Sequence, residues 1–242
     1  MTAAPAGVAL WAFGAVPALG VGVTVAGFEL FRVRSAVRAG MPDDLSFVPS
    51  RPIDHTWLDA DGFRTTLSEL DQLGFAPLAD YSITYPAAPA GLSRVLVHSK
   101  YCVYAEVHQV RQKGQVTPVA TTLTSILEHG WSLQTTTQTP VAVAVAFMQA
   151  KRALWRSLPQ AASSELLEDH LRMRAEVCGD LSVGVGGDGT LDRYFELQRD
   201  DHRARRETLL RTNVVRGIVR GVGAERRPRH EWLGEYRPSP AA

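Results

Sequence analysis

Glu106 and His108 stand two positions apart in Tyr101–Val110, a run that reads as a β-strand, so both side chains project from one face. A carboxylate and an imidazole so placed suit an acid/base pair, as a hydrolase would use, or two ligands of a metal ion. Two ligands do not make a metal centre, because a structural zinc takes about four protein ligands and a catalytic one about three. None of the seven histidines falls in a His-Glu-x-x-His spacing, so the sequence implies no cofactor and no metal. Glu168-Asp169-His170 and Asp200-Asp201-His202 place acids beside an imidazole, yet successive helical side chains point about 100° apart and each triplet cannot converge on one ion. Cys102 and Cys178 lie far apart, with no Cys-x-x-Cys pair, so no disulfide framework is encoded. Neither a Gly-x-Ser-x-Gly elbow nor a cysteine-protease signature occurs.

A second candidate is Gly186-Gly187-Asp188-Gly189-Thr190, which follows a short strand-like run, Leu181–Val185. Glycines remove the side-chain barrier to close backbone approach, which is what a phosphate cradle needs. The five residues resemble the GGDGT signature of the NAD kinase and diacylglycerol kinase superfamily, where amides of a Gly-rich turn approach nucleotide phosphates. That resemblance implies a nucleotide-using kinase with these five residues as its cofactor-binding turn. It covers about ten residues. In those enzymes the motif lies early in an α/β domain and a long β-rich region follows, whereas 52 residues follow here and read as charged helix and tail. A tight glycine turn is the plain alternative.

The elements that would position these residues suggest an α+β domain over 59–200. Asp59 or Asp61 caps a helix carrying Phe63, Leu67, Leu70 and Leu73, and Gly74 stops it. Arg94–Ser99, Tyr101–Val110, Val116–Leu127 and Trp131–Thr137 then read as an antiparallel meander. Alternation assigns Tyr101, Val103, Ala105 and Val107 to the core face, and Cys102, Tyr104, Glu106 and His108 to a face that is wet or lines a pocket. The run from Val141 to Leu158 is expected to be one helix, with Val145, Met148, Arg152 and Trp155 along one side. Ser163 or Ser164 caps a further helix that Gly179 ends.

Outside the domain, the strongest pattern is the uncharged run Ala3–Phe28, 26 residues long. About 20 helical residues cross a bilayer core, so residues 1–34 are expected to form a transmembrane anchor, kinked at Pro17. Arg32, Arg34 and Arg38 follow the run and no basic residue precedes it, which places the N-terminus outside and the remainder in the cytoplasm, at the cell membrane. A cleaved signal peptide is the rival, but it would carry a basic start and a shorter apolar core. Gly14, Ala18, Gly22 and Ala26 form a small-residue stripe along which a homodimer could pack. Residues 35–58, with Pro42, Pro49 and Pro52, read as a linker.

At the other end, 201–242 is a basic amphipathic segment and tail. Nine arginines face Glu207 and Glu225 between Arg203 and Arg229, a local charge of +7 in a chain whose net charge is +1. Arg216 and Arg220 lie opposite Val214, Val215, Ile218, Val219 and Val222 on a helical wheel, an arrangement suited to anionic lipid headgroups. No aromatic platform or reading motif accompanies the arginines, so nucleic acid is not an expected partner. Balanced charge and 45% hydrophobic residues exclude wholesale disorder and a polytopic membrane protein. The expectation is a single-pass, bacterial-type membrane protein whose cytoplasmic domain is a binding or scaffold module, with a membrane-associated kinase or hydrolase as the alternative.

Overall fold

The computed structural model describes residues 42–84, 90–112, 114–139, 150–212 and 231–238, together with Arg32, Ser35, Val219 and Arg226. They form an α+β fold with eight strands in one mixed sheet and three α-helices. In chain order these are β1 (Ser46–Pro49), α1 (Ala60–Gln72), β2 (Ala76–Thr84), β3 (Ala90–His98), β4 (Val103–Gln112), β5 (Gln115–Val116), β6 (Ala120–Ile126), β7 (Ser132–Thr136), β8 (Ala153–Ser157), α2 (Ser163–Leu181) and α3 (Leu191–Arg211). The sheet runs β1-β2-β3-β4-β6-β7-β8, and β5 pairs with β4.

The expected meander is present from β3 to β7, each pair antiparallel. β8 departs from it by pairing parallel to β7, Ser132 opposite Ala153 through Thr136 opposite Ser157. A parallel partner needs a crossover of a dozen residues or more, and residues 137–152 supply it. The helix expected over Val141–Leu158 is therefore corrected at its C-terminal end, while 141–149 lie outside the described residues. The physical reason is the backbone: Trp155 exchanges hydrogen bonds with Trp232 at 2.9 and 2.7 Å while its strand pairs with β7, and helical amides would be turned inward.

The stretch read as a linker contributes an edge strand. β1 pairs antiparallel with β2, and Pro49 is tolerated because an edge position need not donate to a neighbour. β2 itself left no alternating signature, because a register shift between Pro77 and Ala79 interrupts the period of two.

Both faces of the sheet are covered. Phe63 and Leu70 of α1 and Leu166 and Leu167 of α2 pack on Leu92, Leu96, Val103, Ala105, Val107 and Leu123. Tyr194 of α3 packs on the opposite face against Tyr81, Val95, Val97, Tyr104 and Ile126. Asp59 caps α1 by accepting from the Gly62 amide at 3.0 Å, and Gly74 takes φ +90° after it, as the sequence indicates. For α2, Ser163 is the first helical residue and its hydroxyl donates to Glu69 of α1 at 2.7 Å, so it joins two helices and leaves the cap position to Ala162. The helix continues past Gly179 to Leu181, where Ser182 adopts φ +52°.

Among the described residues no helix is long and apolar enough to cross a membrane. The expected anchor and dimer stripe, residues 3–28, lie outside the described residues, as do Arg34, Arg38, Arg216 and Arg220. Arg32 is in helical backbone and exposed.

Candidate functional site

The face of β4 opposite the α1–α2 core does line a concavity. A cleft of about 230 Å³ opens between the sheet and α3. Its floor is Glu106, Thr122, Gln134, Thr136, Gln138 and Trp155, and its roof is Gln198, Asp201, His202 and Arg205, with Leu45 at one side. The floor follows from period-two alternation across three paired strands, Glu106 opposite Thr122 and Thr122 opposite Thr136. The roof residues recur at i, i+3, i+4 and i+7, one helical face. That face is apolar at its ends, where Tyr194 and Leu209 are buried, and polar between them, so α3 is anchored twice and leaves a polar gap in the middle.

Glu106 is held from two sides. Its Oε1 accepts from the Tyr81 hydroxyl at 2.8 Å and its Oε2 from the Tyr194 hydroxyl at 2.7 Å. Burial, reinforced by the negative charge of Glu106, pushes both phenols well above their ordinary range. They therefore stay protonated as donors and fix the carboxylate by neutral groups, leaving its charge without a cationic partner in these contacts.

Asp201 and Arg205 make the opposite wall. Arg205 Nη2 lies 2.6 Å from Asp201 Oδ2 and donates to Gln134 Oε1 at 3.0 Å. The Asp201 side chain is 8% exposed, and its second oxygen, Oδ1, is buried without a hydrogen-bond partner. His202 Nε2 is 2.8 Å from the Pro42 carbonyl oxygen, which can only accept, so that nitrogen carries the proton. With the Arg206–Asp43 ion pair, this contact clips the chain entering the domain onto α3.

Of the residues expected to carry chemistry, the structure brings Glu106 into the cleft and leaves His108 outside its lining. His108 sits between Ser93 and Ala120 on the neighbouring strands, with Nδ1 buried and without a hydrogen bond. Among the described residues no three His, Cys, Asp or Glu side chains are grouped to hold a metal ion. Of the two acidic triplets, the first divides between networks: Asp169 faces Arg156 and Arg172, while His170 lies between Ser125 and Thr135 at 2.8 and 2.9 Å. Burial first, and then the charge of Arg174, pushes His170 down to about 3, so the ring is neutral. Ser125 and His170 have nucleophile-and-base spacing, yet both are fully buried, which makes them an internal polar tie between α2 and the sheet.

The turn Gly186–Thr190 lies between an isolated bridge, Val185 to Leu127, and the start of α3. The Gly186 amide donates to the Ile126 carbonyl at 2.9 Å, and Gly187 lies against Tyr104 and Ile126. Asp188 Oδ1 accepts from the Thr190 amide at 2.9 Å and the Thr190 hydroxyl at 2.8 Å, and these donors hold its carboxyl below the ordinary range. Thr190 Oγ1 in turn accepts from the Arg193 amide at 3.3 Å, capping the helix. Tyr104 donates to the Thr190 carbonyl at 3.1 Å, and its phenol is pushed up to about 12, chiefly by burial. In this arrangement Asp188 and Thr190 seat α3 over the sheet.

Four arginines of the basic segment, all in α3, are paired. Arg203 meets Asp200, Arg205 meets Asp201, Arg206 meets Asp43 and Arg211 meets Glu207. Counting only Glu207 and Glu225 within the segment missed carboxylates one turn upstream and at the far end of the domain. Asp201, Arg205, Gln134 and Trp155 also went unmarked, being ordinary residue types distant in sequence; the helical period through Tyr194, Gln198, Asp201, Arg205 and Leu209 was the signal that could have found the roof. No known protein-family model, curated protein or solved structure matches this chain.

Proposed function

We propose that this protein is a membrane-tethered binding module whose α+β domain takes a small polar ligand in the cleft beneath α3. The observation that carries the reading is the cleft itself: Glu106, Gln134 and Trp155 from three strands and the Asp201–Arg205 pair from α3 converge on one concave space. Polar groups held in place around such a space can orient a small ligand.

In this reading Ala3–Phe28 spans the bilayer and the domain lies on the cytoplasmic side, where Arg32, Arg34 and Arg38 meet anionic headgroups at up to about 1 kcal/mol each. Arg216 and Arg220 would touch the same surface, and the stripe Gly14, Ala18, Gly22 and Ala26 would pair two copies.

The test is a binding screen of small cationic, neutral and anionic metabolites against the full-length chain in mild detergent, read by thermal shift. It is repeated on Thr122→Trp, which places a large side chain on the floor between Glu106 and Thr136. Ligands that stabilise the unaltered chain are expected to lose their effect in the variant. Stabilisation that survives Thr122→Trp, or silence from every class, refutes the cleft as a binding site.

A further inference from the structure

The charge that lines the cleft decides the sign of what it takes. Arg205, the guanidinium of the wall, already meets Asp201 Oδ2 and the Gln134 side-chain oxygen, so its charge is matched within the protein. Glu106 is contacted by two neutral phenols, which orient it without cancelling its charge. The Nε2 proton of His202 is directed at the Pro42 carbonyl. The lining thus holds two carboxylates against one guanidinium, an excess of negative charge. A neutral ligand would leave that charge unmatched, and an anion would add to it. A bare metal ion is disfavoured because, among the described residues, no three His, Cys, Asp or Glu side chains are grouped to hold one. An aromatic wall, Trp155, further suits a positive group. The cleft's volume of about 230 Å³ gives room for one small metabolite.

Building on the cleft reading above, we infer that the site takes a small organic cation, a primary ammonium or guanidinium compound, whose charge is balanced by Glu106 and Asp201.

The experiment uses the full-length chain in mild detergent with ethanolamine, putrescine and agmatine as cationic probes, myo-inositol as a neutral probe and succinate as an anionic one. The readout is the indole N–H resonance of Trp155, assigned by its loss in Trp155→Phe. At least one amine is expected to move it saturably, with Kd weakened about tenfold or more in Asp201→Asn. Glu106→Gln, which keeps the shape under the two tyrosines, is expected to weaken binding in the same direction and serves if Asp201→Asn does not fold. Saturable binding of myo-inositol or succinate without any amine overturns the cationic assignment and leaves the cleft reading standing. Amine binding indifferent to both variants overturns the roles of Asp201 and Glu106. No response from any probe overturns the cationic assignment, and if the broader screen on Thr122→Trp is silent too, the cleft reading falls with it.

Discussion

His170 is a histidine that must stay neutral for the domain to stay folded. Buried between two hydroxyls and near Arg174, it holds no proton down to about 3, while in the unfolded chain the same ring takes one near 6.5. The unfolded state therefore binds more protons between those values, and stability falls as pH drops through that window at up to about 1.4 kcal/mol per unit. Urea midpoints measured from pH 7 to pH 4 should decline accordingly, and His170→Gln should flatten the decline while lowering stability at pH 7. An unchanged slope in His170→Gln would mean that other groups carry the acid sensitivity. The same residue shows how little a residue type reveals alone. In the sequence His170 is the end of an acidic triplet; helical geometry turns it away from Asp169, and only the packing of α2 on β6 and β7 seals it from solvent.

At the scale of elements, α3 controls the cleft, and its N-terminal cap controls α3. Thr190 and Asp188 form a closed set of hydrogen bonds at the first turn, with Tyr104 holding the set to the sheet. Thr190→Ala removes the cap acceptor and should cost about 1 kcal/mol, within the usual 0.5–2 kcal/mol for such caps. Hydrogen exchange should show the loss as faster exchange at Arg193 and Tyr194, with the β4 amides unaffected; uniform acceleration across the sheet would contradict a local role.

The legible elements were those whose signals are local. α1 announced itself through Asp59, an apolar stripe and Gly74, and β3, β4, β6 and β7 through β-favouring residues between turn signals, with alternation along β4. β8 was not legible, because Ala153–Ser157 also fits the flank of a helical pattern and its strand identity comes from β7 and Trp232. β1 was hidden by its proline, Pro49, which an edge strand accepts.

For the whole molecule, charge arrangement matters more than its total. The basic excess near the C-terminus is in part neutralised by Asp43, Asp200 and Asp201, so Arg203, Arg205 and Arg206 serve α3 and the entry of the chain into the domain. That entry runs along the cleft: Pro42 and Asp43 are fastened to α3, and Leu45 lines the site. A membrane tether at Ala3–Phe28 would thus pull on residues beside the ligand. The tethered reading predicts that the full chain stays with membranes through an alkaline carbonate wash and that a reporter fused after Arg38 is active only in the cytoplasm. Release into the wash or a periplasmic signal would refute the anchor or its orientation.

By itself, the amino-acid order determined what neighbours along the chain can decide: α1, four strands of the sheet and, along β4, the inward face of Val103, Ala105 and Val107. The same order supplies the expectation of an apolar anchor. These follow from periodicity and capping, which act over a few residues. The tertiary structure alone decided the parallel pairing of β8, the helix-seating role of Asp188 and Thr190, and the cleft. Glu106 and Asp201 meet one cavity across 95 residues of chain because Tyr194 of α3 packs on Tyr104 of β4 and donates to Glu106, and no local pattern encodes which distant faces will close on each other.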